Sequence, residues 1–121
     1  MKALRHAVKH LFAATKYTIW GIASTFRHEL AFRQEVLLIL PHFAALYLLG
    51  FPLAYWLFLS TLLATIMAAE LLNTAIECVV DLVSPEFHAL AKRAKDAASA
   101  AVGILLLVYF VSWIVLIVQQ A

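Results

Sequence analysis

Glu70, Asn73, Glu77 and Asp81 follow one another at intervals of three, four and four in a chain that is 65% hydrophobic and only 13% charged. On a helix this spacing, with Thr74, falls within about 100° of arc, so every polar group of the stretch shares one stripe. A carboxylate held in a bilayer costs at least ~2.5 kcal/mol, so such a stripe turns toward protein, water or a metal rather than lipid. A second stripe carries Lys92, Lys95, Asp96, Ser99 and Gly103 at the same offsets, and Ala97, Ala98, Ala100 and Ala101 around it allow close helix approach. Glu29 and Arg33, with Phe32 and Val36 beside them, are spaced as an i, i+4 pair. Three helices thus offer carboxylates at one depth next to basic residues.

Clustered acids with no cysteine among them and no i, i+4 histidine pair suit a hard, oxygen-seeking cation such as Mg²⁺, which takes one or two carboxylates plus phosphate oxygens and water. Lys92, Arg93, Lys95 and the N-terminal cations suit phosphate. Together they read as a nucleotide-phosphate site at a membrane surface, without the GxxxxGK[ST] or GxGxxG of a P-loop or dinucleotide fold. The residues alone leave three readings open: an enzyme, a proton- or cation-coupled carrier, and polar glue between helices. The single cysteine, Cys78, excludes an internal disulfide framework and reads as a small apolar group. A formal charge of +2 is too small to argue for nucleic acid.

The elements that must position these groups are helices in lipid. Residues 36–69, broken only at Gly50-Phe51-Pro52, and residues 97–118 contain no Lys, Arg, Asp or Glu; the first run is long enough to cross hydrocarbon twice, the second once. The expected fold is one all-α integral membrane domain over residues 1–121. It has an amphipathic surface helix at about 4–28 and spans at about 34–49, 53–82 and 96–118. Leu4, Val8, Leu11, Phe12, Ile19, Ile22 and Phe26 form the apolar face of the surface helix, which suits the headgroup layer or the ends of the spans. Lys2, Arg5, His6, Lys9, His10 and Lys16 interrupt any signal-peptide core. All nine Lys and Arg lie at 2–33 or 92–95, which puts the N-terminal segment and the 82–98 connection in the cytoplasm. Pro41 bends the first span, Pro52 opens the second helix, and Ser84 with Pro85 caps the next. Tyr17, Trp20, Tyr47, Tyr55, Trp56, Tyr109 and Trp113 read as interfacial anchors.

Three segments resemble the prokaryotic diacylglycerol kinases: ELAFRQE at 29–35, ELLNTAIECVVD at 70–81 and EFHALAKRAKDAASAAV at 86–102. The resemblance implies a small homotrimeric enzyme of the bacterial inner membrane, with three spans, a surface helix and a cytoplasmic active site. It would transfer phosphoryl from MgATP to diacylglycerol and form phosphatidate. By the same resemblance Glu70 is the general base, Glu29 and Glu77 hold Mg²⁺ against the ATP phosphates, and Asn73 supports the base, with Asp81 beside it. His10, Tyr17, Glu29, Glu77, Glu86, His88, Lys95 and Asp96 correspond to nucleotide contacts. Ala31, Phe32, Arg33, Gln34, Glu35, Glu70 and Ser99 line the lipid site. The chain departs from the family at His10, where arginine is usual, and at Ile19-Trp20, where a Trp-Lys pair is usual. A related branch phosphorylates undecaprenol and shares NTAIE and VVDL; AFRQE leans toward the diacylglycerol branch.

Overall fold

The computed structural model describes residues Met1–Ala121, and all of its regular structure is helical: α1 (Lys2–His28), α2 (Leu30–Leu48), α3 (Leu53–Val83) and α4 (Ala89–Gln120). α3 and α4 are each long and apolar enough to cross a membrane. α2 is shorter, at 19 residues, and carries Arg33 and Glu35 in its first turns. Pro41 stays within α2, whose helix continues to Leu48.

α3 and α4 form an antiparallel hairpin, paired from Asp81 with Lys95 at one end to the Leu59 region with Trp113 and Leu116 toward the other. α2 packs on α3, and α1 touches α2 and α3. Two small apolar clusters make the core: Leu46, Phe51 and Leu59, and Leu63, Ile66 and Tyr109. Only 13 of 121 residues are buried, so most of the apolar surface has no cover within one chain. On α1, Thr25 alone is buried, while Leu4, Leu11 and Phe12 are each about two-thirds exposed or more, at 71%, 67% and 69%.

The turn between α2 and α3 follows from Gly50, which adopts φ +63°, the left-handed region glycine enters without strain. Phe51 N–H donates to the Leu46 carbonyl at 3.2 Å and Gly50 N–H to the Tyr47 carbonyl at 3.1 Å, closing α2 with a Schellman motif whose apolar contact is Leu46 on Phe51. Pro52 then sits as the N-cap of α3, one position before the helix.

Two local expectations are corrected. Ser84 does not cap α4; it ends α3, donating from its hydroxyl to the Glu86 carbonyl at 3.1 Å. Pro85 disfavours helical backbone at Ser84, which stops α3 at Val83; the N-cap of α4 is His88, whose Nδ1 accepts from Leu90 N–H at 3.1 Å. α4 consequently runs unbroken from Ala89, and the span expected from about 96 is the inner part of this longer helix. Second, Glu29 and Arg33 form no ion pair. Glu29 is the single extended residue (φ −110°, ψ 116°) between α1 and α2; as the N-cap of α2 its carbonyl accepts from Arg33 N–H at 3.2 Å, but the two side chains do not meet.

Candidate active site

The buried residues of α3 are Leu59, Leu63, Ile66, Glu70 and Asn73, spaced four, three, four and three, with half-buried Glu77 four further on. This is one continuous seam at a 3.5-residue period, apolar through Ile66 and polar from Glu70 onward. α2 presents a matching face of Phe32, Glu35, His42 and Leu46, all buried. Glu70 and Glu35 are each only 5% exposed and lie within electrostatic reach of one another; the charges of Glu77 and Glu29 also reach Glu70. The α1–α2 junction, α2 and α3 therefore bring four carboxylates into one region, while Asp81 and Asp96 of the two stripes lie on the groove beyond it.

Within this region Asn73 Nδ2 donates to Glu77 Oε1 at 3.3 Å. Glu35 Oε2, Asn73 Oδ1 and Thr74 Oγ are buried without any hydrogen-bond partner. Two of these are pure acceptors, and a buried acceptor left unmade costs about 1–3 kcal/mol, so this region calls for a donor or a cation from outside the chain. No three His, Cys, Asp or Glu side chains converge as an all-protein metal cage. Such a set of oxygen donors is of the kind Mg²⁺ takes when phosphate and water complete its coordination.

Beyond Glu77, an open groove of about 390 Å³ lies between the end of α3, the 84–88 connection and the start of α4. It is lined by Asp81, Glu86, His88, Lys92, Lys95 and Asp96 among others, and so holds four of the eight residues expected at the nucleotide: Glu86, His88, Lys95 and Asp96. Lys95 pairs with Asp81 across the α3–α4 gap, and Lys92 pairs with Asp96 along α4. These pairs hold the two ammonium groups on the groove wall.

The chain does not bring every expected residue to these two places. His10 is exposed on α1, and Tyr17 lines a separate groove with Thr18, Gly21, Thr25, Leu71 and Thr74. Ala31 and Gln34 are exposed on the first turns of α2, beside buried Phe32, half-buried Arg33 and buried Glu35; Ser99 is exposed on α4. A polar group missed from sequence lies deeper: His42 of α2 bonds through Nδ1 to the Tyr109 hydroxyl at 2.8 Å and through Nε2 to the Ser60 hydroxyl at 3.0 Å. Tyr109 is 4% exposed and so is not the interfacial anchor expected of it. The available signal was a lone histidine after Pro41 in an otherwise apolar run.

An all-helical chain with two membrane-length helices and a buried acidic cluster beside a lysine-lined groove defines a small class of protein. The family model described as "Prokaryotic diacylglycerol kinase" matches residues 16–117, and the chain belongs to that family. It is similar to the diacylglycerol kinase of Haemophilus influenzae, at 38% identity over 104 residues covering 86% of this chain and 88% of that one. Similarity to the diacylglycerol kinase of Pseudomonas aeruginosa is 40% over 106 residues, covering 88% and 86%. For that of Escherichia coli K12 it is 37% over 115 residues, covering 88% of each.

Proposed function

We propose that this protein is a membrane-embedded lipid kinase that transfers the γ-phosphoryl group of MgATP to the hydroxyl of diacylglycerol, giving phosphatidate and ADP. The observation that carries this reading is the placement of buried Glu70 among Glu29, Glu35 and Glu77, one end of a seam whose other polar end opens on the Lys92–Lys95 groove, in a chain of this family. In the proposed reaction Glu70 takes the proton of the lipid hydroxyl. The hydroxyl oxygen bonds to the γ-phosphorus as the bond to the β–γ bridging oxygen breaks, and ADP leaves with that electron pair. Phosphoryl transfer asks little covalent chemistry of the protein, so positioning and charge neutralisation dominate. Mg²⁺, held by Glu29 and Glu77, supplies neutralisation of phosphate charge when bound. Lys92 and Lys95 add positive charge, Asn73 orients Glu77, and Phe32 and Glu35 face the lipid side of Glu70.

The same reading gives three membrane crossings, by α2, α3 and α4, with α1 on the headgroup layer and the active site at the cytoplasmic face of the bacterial inner membrane. Its support is the excess of Lys and Arg at 2–33 and 92–95 and the uncovered apolar surface of the helices. Assembly as a homotrimer would cover apolar surface that a single chain leaves open.

Purified protein in mixed micelles with MgATP should convert diacylglycerol to phosphatidate, with undecaprenol phosphorylated more slowly. Failure to phosphorylate either alcohol would overturn the kinase reading. Ion flux in liposomes without ATP would favour a carrier built on Glu70.

A further inference from the structure

We propose that His42 is a positioning residue for this site: by bridging Ser60 and Tyr109 it pins the register of α2 on α3 and α4, and so fixes where Glu35 stands against Glu70. The inference rests on the kinase reading above.

Side chains join different helices at three levels of this chain. Lys95 pairs with Asp81 at one end, the His42 ring joins Ser60 and Tyr109 in the middle, and Gln120 donates to the Leu49 carbonyl at the other end. Only the second and third hold α2, and only the second lies within its length. Between helices surrounded by lipid the hydrophobic effect selects no register, because the tails are as apolar as the side chains; packing and polar ties do the selecting. α2 is packed more sparsely than the α3–α4 hairpin, so a polar tie decides more there.

The ring is suited to this. His42 is 3% exposed, with Trp113 edge-on at 5.5 Å and the Tyr109 ring stacked at 5.9 Å. A neutral imidazole donates from one nitrogen and accepts at the other, and either hydroxyl can take either part, so all three groups are satisfied at once. Sliding or turning α2 by one residue would break both bonds together.

Its location in the chain gives the tie its reach. Pro41, the preceding residue, has no N–H to bond the Leu37 carbonyl, which makes this the point where α2 bends most easily. Glu35 lies two turns from His42 on the same buried face, about 10 Å along the axis. A pin at the weak point of the helix governs how far its Glu35 half can swing.

The test compares wild type with His42→Leu, His42→Asn, Ser60→Ala and Tyr109→Phe, by steady-state kinetics and by spin-label distances. Labels go on Leu37→Cys and Ile76→Cys in a Cys78→Ser background, diluted with unlabelled protein. With His42→Leu, kcat should fall about ten- to a hundredfold, since small misplacements of reacting groups cost that much. The KM for MgATP should stay within about twofold, because the loss is of alignment rather than nucleotide binding. The distance distribution should broaden, and His42→Asn, which keeps a donor and an acceptor, should recover most of both. Ser60→Ala and Tyr109→Phe each remove one bond with little change of shape and should show smaller losses of the same kind, which keeps the test decisive should His42→Leu fail to fold. Wild-type kcat in the variants, an unchanged distance distribution, or no recovery in His42→Asn would overturn the proposal. An inactive wild type would sink the kinase reading instead, and the distances would still decide the pin.

Discussion

The Asn73 amide donates to Glu77 Oε1 one turn further along α3, at 3.3 Å, while its own Oδ1 is buried without a partner. An amide bonded in this way fixes the orientation of the carboxylate, which in the proposed reaction would hold Mg²⁺. Asn73→Ala should raise the Mg²⁺ needed for half-maximal rate about ten- to a hundredfold, as loss of such outer-shell partners does. Glu77→Gln and Glu29→Gln should raise it further or abolish activity. Initial rates across a Mg²⁺ titration at saturating ATP and diacylglycerol check all three; an unchanged Mg²⁺ dependence rejects the ligand roles.

Glu70→Gln removes a base and leaves shape and burial nearly as they were. Turnover should drop about 10²–10⁴-fold, the range general base catalysis supplies. ATP binding by calorimetry and the thermal transition in detergent should be close to wild type. A Glu70→Gln enzyme with normal turnover would remove Glu70 from the chemistry.

His88 has a structural task that separates from any contact with nucleotide. Its ring caps α4, so His88→Ala should lose about 0.5–2 kcal/mol of stability, and His88→Asn, another good N-cap residue, should restore most of it. A KM for ATP raised equally in both variants would then mark a nucleotide contact; recovery with asparagine would mark the cap alone.

Lys95 is held on the groove wall by Asp81 across the helix pair, both partly exposed. A pair of this kind contributes about 1 kcal/mol or less to stability, so Asp81→Asn should unfold near the wild-type temperature. It should still raise the KM for MgATP by releasing Lys95 from its place, and Lys95→Ala should raise it more. Kinetics across an ATP titration, paired with a melting curve, distinguish this from a general loss of structure.

Much of the site is legible in the sequence because acids in an apolar helix have few places to go. The three, four, four spacing of Glu70, Asn73, Glu77 and Asp81 named the buried face of α3 as far as Glu77. Other features depend on choices that local pattern leaves open. Ser84 and His88 are both capable caps, and the helix starts after His88, a choice the local pattern of 84–88 leaves open. The sequence ends the surface helix at about 28, but Glu29 carries no glycine or proline to mark it as the one extended residue between α1 and α2. His42 meets Ser60 and Tyr109 across 18 and 67 residues of sequence, a juxtaposition only the packing creates. His10 and Tyr17 lie outside the groove formed by a single chain, Tyr17 in a separate one against α3, which no spacing within α1 could reveal.

The seam of α3 makes that helix sensitive to length in a way it is not sensitive to composition. One inserted or deleted residue between Leu59 and Glu70 would rotate everything beyond it by about 100°. Glu70, Asn73 and Glu77 would swing off the packed face together, while each apolar neighbour would merely exchange one greasy contact for another. Substitutions along the first half of α3 can therefore accumulate freely among apolar residues, but a change of reading length there would be removed at once. Related chains should differ in size at their ends and at the Gly50 and 84–88 turns, and hold the distance from Leu59 to Glu77 constant.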